Sequence, residues 1–247
     1  MEYNKNFKEL LETLPDSEYV GLGNPNSKIL FIGKEAGSEI GVEICHGNAK
    51  SWKNKEFDYS KRYIPSEPNM RNLNHTWQRY QILYDKILSK LNIIIKTQKN
   101  DKYEITFIEN VLTTELSNLP ARNTNEAKKQ IDFTSELEKR KRVFFKSQFI
   151  EQFPIIVIFA NDNKYIETYS GEVCKLFKVK FDKLHNYMGK DKIWIHFASA
   201  PENSPKLLIH TRQLTNSISN DLIDNISEII ADFIQENSIS IINEKYQ

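Results

Sequence analysis

Pro154-Ile-Ile-Val-Ile-Phe159 decides the fold. After the proline, four β-branched residues and a phenylalanine follow without a polar interruption. A strand with one wet face alternates apolar and polar residues. A strand that is apolar on both faces must be covered on both, as central strands of parallel sheets are. Lys28-Ile-Leu-Phe-Ile32, closed by Gly33, reads the same way and ends in a tight turn.

Outward from these two runs the pattern alternates between strand and helix. Ile105–Leu112, Lys192–Ser199 and Lys206–His210 read as further strands, the last two joined by a proline-containing loop. Phe7, Leu10, Leu11 and Leu14 recur at helical spacing and stop at Pro15. Trp77, Tyr80, Tyr84, Leu88 and Leu91 form a second helical stripe, with Thr76 as its N-cap. Residues 135–150 predict a charged helix with Glu136–Arg140 and Glu138–Arg142 as i,i+4 pairs, which makes Lys139-Arg-Lys-Arg142 a solvated face. Ile166, Tyr169, Val173 and Phe177 mark a helix, and Leu222, Ile226, Ile229, Ile230 and Phe233 a long one. Strands separated by helices at this spacing predict one α/β domain over residues 1–247. The expected architecture is a three-layer α/β/α sandwich around a central, mostly parallel four-stranded sheet.

Composition narrows the chemistry. With 39% hydrophobic and 27% charged residues, the 247-residue chain has the material for a real core. The formal net charge of +1 supplies no overall field for a polyanion, so nucleic acid would have to be held by local patches. The two cysteines, Cys45 and Cys174, make neither a disulfide framework nor a metal knuckle, and the five histidines show no paired ligand spacing. Neither a metal nor another cofactor is expected. No apolar run approaches the roughly 20 residues that cross a bilayer, and residues 1–11 lack a signal-peptide core. These readings predict no membrane partner and a cytoplasmic location.

In parallel sheets ligands gather at the carboxyl ends of the strands. Three polar loops fall there: 33–39, 113–123 and 210–215. The first, Gly33-Lys-Glu-Ala-Gly37, carries one carboxylate, Glu35, on a turn where backbone can approach a ligand closely. The third, His210-Thr-Arg-Gln-Leu214-Thr215, sets a histidine, an arginine and an isolated leucine in succession. By itself, such a histidine is a satisfied strand-end residue and Leu214 a core residue. Residues 50–63 interleave Lys50, Trp52, Lys53, Lys55, Phe57, Tyr59, Lys61, Arg62 and Tyr63, a pattern that suits stacking on nucleic acid or simply a loop pinned by its aromatics.

Taken together, strand-Gly-x-acid near the start and strand-His-x-x-x-Leu-[Ser/Thr] near the end resemble the two signature motifs of the uracil-DNA glycosylase superfamily. There the first loop reads Gly-x-[Asp/Asn]-Pro or Gly-Glu-Ala-Pro-Gly, and the last His-Pro-Ser-Pro-Leu-Ser. Asn110-Val-Leu-Thr-Thr-Glu-Leu-Ser-Asn-Leu-Pro120 is similar to the family's second-strand segment. The resemblance spans roughly residues 20–235. The chain departs from it at Ala36, Thr211 and Gln213, where the family has prolines.

The resemblance implies a glycosylase fold and cleavage of the N-glycosidic bond of a flipped, modified or damaged base. DNA is favoured over RNA as partner, and DNA repair follows only by fold analogy. Glu35 would stabilise the sugar cation and position water, and neutral His210 would hydrogen-bond the departing base. Gly33, Lys34 and either Glu109 or Asn110 would contact the base, with Trp52 or Phe57 stacked on it. A glutamate at the base-reading position would disfavour uracil. Leu214 would fill the gap left by the flipped nucleotide, and Arg212, Thr215, Arg122 and Lys53 would hold the DNA. The lost prolines equally suit a non-catalytic nucleic-acid or nucleotide-binding module, and the near-neutral charge suits a hydrolase of free nucleosides or nucleotides.

Overall fold

The computed structural model describes residues 2–37, 47–56, 75–94, 104–167, 171–187, 191–198, 204–215 and 219–242. Helix α1 (Lys5–Thr13) starts where Asn4 Oδ1 accepts the Phe7 N–H at 2.8 Å, and stops at Leu14, which is extended before Pro15. It buries Phe7, Leu10 and Leu11. Strands β1 (Leu22–Gly23) and β2 (Ile29–Gly33) follow, then the short helix α2 (Ala49–Lys53) and the long helix α3 (His75–Lys90). Because α3 begins at His75, Thr76 lies inside its first turn rather than capping it.

A 3-10 turn at Phe107–Glu109 leads into β3 (Val111–Glu115). The strand expected over Ile105–Leu112 therefore starts six residues later and runs three residues further. Gln81 Oε1 accepts the N–H groups of Thr106 and Phe107, which removes both donors from any sheet ladder. Helices α4 (Thr124–Ala127), α5 (Phe133–Val143) and α6 (Gln148–Glu151) precede β4 (Ile155–Phe159). The single helix expected over 135–150 is thus two, and the one read from Ile166 to Phe177 shortens to α7 (Glu172–Phe177), which starts after Gly171 at φ +127°. Strands β5 (Val179–Tyr187), β6 (Asp191–Ala198) and β7 (Leu207–Thr211) precede helix α8 (Asn220–Glu236), capped by the Ser219 hydroxyl.

The seven strands form one sheet in the order β1-β3-β2-β4-β7-β6-β5. The four middle strands, β3, β2, β4 and β7, are mutually parallel. The outer strands β1, β6 and β5 are antiparallel to their neighbours, so the expected four-stranded sheet is the parallel centre of a larger mixed one. One face packs Leu30, Ile32, Ile156 and Ile158 against α1, α5, α6 and α7. The other packs Phe31, Val157, Phe159 and Ile209 against α3 and α8. Burial on both faces accounts for the uninterrupted apolar runs. Among the described residues no helix is long and apolar enough to cross a membrane.

From β2 the chain crosses to β3 on one side and later returns to β4 on the other. The strand order therefore reverses between β2 and β4. Their carboxyl ends flank the crevice in which open α/β sheets bind ligands.

Candidate active site at the strand-order switch

The loop after β2 and the loop after β3 are zipped together by backbone bonds. Leu116 N–H donates to Gly33 O at 2.9 Å, Ser117 N–H to Lys34 O at 2.8 Å, and Ala121 N–H to Ala36 O at 3.0 Å. Register pairs Gly33 with Glu115, so the two carboxylic residues Glu35 and Glu115 come to one end of adjacent strands. Gly33 makes room for the second: a β-carbon built on it would lie 2.1 Å from Glu115 Oε2.

Glu115 is partly buried. Its burial, and after that the neighbouring Glu35 carboxylate, push its pKa up to about 8 against the downward pull of Arg140. Glu35 Oε1 accepts the Thr124 hydroxyl at 2.8 Å, from the start of α4, whereas Oε2 is buried. The buried Tyr165 hydroxyl faces the Glu35 carboxylate as a second donor. Burial first and Glu35 second raise its pKa well above that of a free phenol.

Beside this pair, Asp162 follows β4. It accepts Lys34 Nζ at 3.3 Å and Lys128 Nζ at 2.5 Å. Burial opposes its ionisation, but the Lys128 hydrogen bond, the Lys164 N–H and both lysine charges outweigh it and lower its pKa. The two ammonium groups lie 5.6 Å and 5.9 Å from the centre of the Tyr165 ring.

Arg140 supports the site from beneath. It is fully buried, forms an ion pair with Glu18, and donates from Nε to Glu115 O at 2.9 Å and from Nη2 to Thr114 Oγ1 at 3.0 Å. Its guanidinium also lies 4.1 Å from the Phe144 ring centre. Of the solvated face expected for Lys139–Arg142, Lys139 and Arg142 are exposed, but the two residues between them are not. Arg140 and Lys141 are both buried, because Arg140 reaches Glu18 across the fold and Lys141 bridges Glu138 and Glu172 at 2.8 Å and 2.6 Å.

The residues singled out in the sequence scatter. Gly33, Lys34 and Glu35 are in the crevice, and Arg122 is exposed on the loop beyond β3. His210 is level with Ile158 and Ile32 but is wholly buried inside β7. Its Nε2–H donates to Ala160 O at 3.1 Å, since a carbonyl can only accept. It therefore anchors the turn that carries Asp162, with Trp194 packed 5.7 Å away, ring to ring. Glu109 and Asn110 lie at the amino end of β3, roughly 16 Å from Glu115 at the usual rise per residue. The base-reading position assigned to them is corrected accordingly.

Trp52 packs edge-on against Phe7 at 5.1 Å and donates Nε1–H to Gly21 O at 2.9 Å, so a core contact replaces the expected base stacking. Lys53 is held by Leu14 O and Asp16 at 2.9 Å and 2.8 Å rather than presented to DNA. Leu214 is fully buried in the core, which corrects its reading as an exposed wedge. Arg212 meets Asp191 at 3.3 Å, and Thr215 is half-buried at the end of that loop. Phe57, the other stacking candidate, lies outside the described residues, as does most of the basic, aromatic segment 50–63.

No protein-family model matches the chain, and no curated protein does. Its chemistry rests on the residues themselves. Among the described residues no group of three or more histidine, cysteine, aspartate and glutamate side chains could hold a metal ion. Glu115, Asp162, Tyr165 and Lys128 are the site residues that motif reading missed. Glu115 alone had a local signal, a carboxylate closing a β-branched strand end directly before a polar loop.

Proposed function

We propose that the chain hydrolyses the N-glycosidic bond of a nucleoside unit, with Glu35 and Glu115 as its carboxylate and acid. The observation that carries this reading is the pair itself. Two carboxyl groups share the switch-point crevice, one partly buried beside hydroxyl donors and the other holding its proton near neutral pH. Environments that push two carboxyl groups apart in acidity divide the roles of base and acid.

Breaking the bond builds positive charge on the sugar and negative charge on the departing base. Glu35 Oε2 stabilises the cation and takes a proton from the attacking water, whose oxygen bonds to the anomeric carbon. The electron pair of the broken carbon–nitrogen bond leaves with the base, and Glu115 supplies the proton that neutralises it. Proton exchange with solvent then restores both groups.

The resemblance to the uracil-DNA glycosylase superfamily supports the reaction class and the role of Glu35. The hydrogen bond to the departing base that the resemblance implies for His210 gives way to proton donation by Glu115, because the His210 Nε2–H is occupied by Ala160 O. His210 is a positioning residue in this scheme. A flipped base in DNA is the substrate implied by the resemblance. The burial of Leu214 and Trp52 favours a free nucleoside or nucleotide as the second reading.

The test is incubation with oligonucleotides containing uracil or hypoxanthine, and with free nucleosides and nucleotides, followed by mass spectrometry for released base. Release by the wild type that falls at least about a hundredfold in Glu35→Gln is expected, in line with the loss of an electrostatic stabiliser. Release from none of these substrates, or equal release by the variant, overturns the reading.

A further inference from the structure

We infer that Lys34 and Lys128 form a subsite for the phosphate of a nucleoside 5′-monophosphate, next to the carboxyl pair; the nucleoside half of this statement rests on the hydrolase reading above.

Three observations carry it. First, the two lysines reach one point from different elements, Lys34 from the turn after β2 and Lys128 from the end of α4, and both bind the same carboxylate. One carboxylate oxygen, Asp162 Oδ2, thus meets two ammonium groups at once. Secondly, the group is sheltered: the side chains of Lys34, Lys128 and Asp162 are 12%, 29% and 16% exposed. Ammonium groups brought together at this depth repel one another, and Asp162 is the carboxylate shared between them. A bond to Asp162 uses one of each ammonium's three protons and leaves donors for a phosphate oxygen.

Thirdly, the ring of fully buried Tyr165 lies under both lysines while its hydroxyl faces Glu35, so one side chain spans the two groups. It is a donor close enough to Glu35 to feel its charge. The phosphate position thereby adjoins the place where the sugar must sit for Glu35 to act. All of these groups flank the crevice between β2 and β4, where the topology brings ligands.

A phosphate monoester could belong to a free nucleotide, whereas an oligonucleotide offers phosphodiesters. The burial of Leu214 and Trp52 favours the free nucleotide. The experiment is binding by calorimetry at low salt, with uridine, uridine 5′-monophosphate, adenosine, adenosine 5′-monophosphate, inorganic phosphate and a single-stranded oligonucleotide as probes. At least one monophosphate is expected to bind tenfold or more tightly than its nucleoside. Lys128→Gln should erase that preference and weaken inorganic phosphate by a similar factor. Asp162→Asn frees both lysines and should tighten phosphate severalfold, which keeps the test decisive if Lys128→Gln folds poorly.

Equal binding of nucleoside and nucleotide, a preference untouched by Lys128→Gln together with no tightening in Asp162→Asn, or an oligonucleotide that outcompetes both monophosphates overturns the inference. A lysine-dependent phosphate preference without base release from any substrate would leave the subsite standing and remove the hydrolase reading alone.

Discussion

The Glu115 carboxyl rests on the α-carbon of Gly33, close enough that a β-carbon there would come within 2.1 Å of Oε2. Gly33 is not among the residues with positive φ, so its backbone accepts alanine. Its glycine character serves the neighbouring carboxyl rather than the turn. Gly33→Ala is expected to leave the fold intact and displace Glu115. A shift of about 1 Å in a catalytic group can cost on the order of a hundredfold in rate. Single-turnover base release, measured with the melting temperature as control, checks this. Wild-type release would break the link between the glycine and the acid.

The raised pKa of Glu115 has a stability counterpart. Its folded pKa, about 8, lies above the unfolded value near 4.5. The native state therefore binds this proton more tightly, a contribution that is complete below pH 4.5 and lost as pH rises through 8. Buried His196 works in the other direction, with burial lowering its pKa to about 4 from 6.5. It destabilises the fold as pH falls from 6.5 toward 4. Between pH 6.5 and 8 the Glu115 contribution acts without opposition from His196, at up to about 1.4 kcal/mol per pH unit. Chemical denaturation is expected to show greater stability at pH 6.5 than at pH 8.5, with the difference much reduced in Glu115→Gln.

Leu214 separates a core role from a wedge role. In this structure it is buried among Ile209, Leu222 and Ile223 on the α8 face. Leu214→Ala should cost about 2–5 kcal/mol, the usual range for an emptied core site, and should leave turnover of a free nucleotide unchanged under conditions where the variant is folded. Unaltered stability with a specific loss of duplex cleavage would instead return Leu214 to the wedge.

What could be read from the sequence divides along physical lines. Pro154–Phe159 and Lys28–Gly33 revealed the parallel centre because burial on both faces leaves an uninterrupted apolar run. The same runs located the loops of the crevice and, with them, Glu35. Strand β5 escaped notice because it is an edge strand whose residues 179–187 mix Lys, Asp and His with apolar residues, and whose pairing slips between Phe181 and Lys183. That irregularity breaks the period of two on which strand reading depends.

Glu115 was masked by the apolar run 105–112, which drew the expected strand toward its beginning. Arg140 looked solvated because glutamates stood at i,i+4, yet its partner, Glu18, is 122 residues away. Asp162 and Lys128 meet only through tertiary structure, and no local spacing announces such a pair. Trp52 shows the converse: interleaved bases and aromatics do not reveal which side of a helix is buried.

The measurement that bears most directly on the carboxyl pair is the pH dependence of single-turnover base release, from pH 6 to 10, for the wild type and Glu115→Gln. With Glu115 as the acid, release falls about tenfold per pH unit above pH 8, and Glu115→Gln is slow with no such limb. A wild-type profile that stays level through pH 10, or a Glu115→Gln variant that matches the wild type, would contradict the assignment.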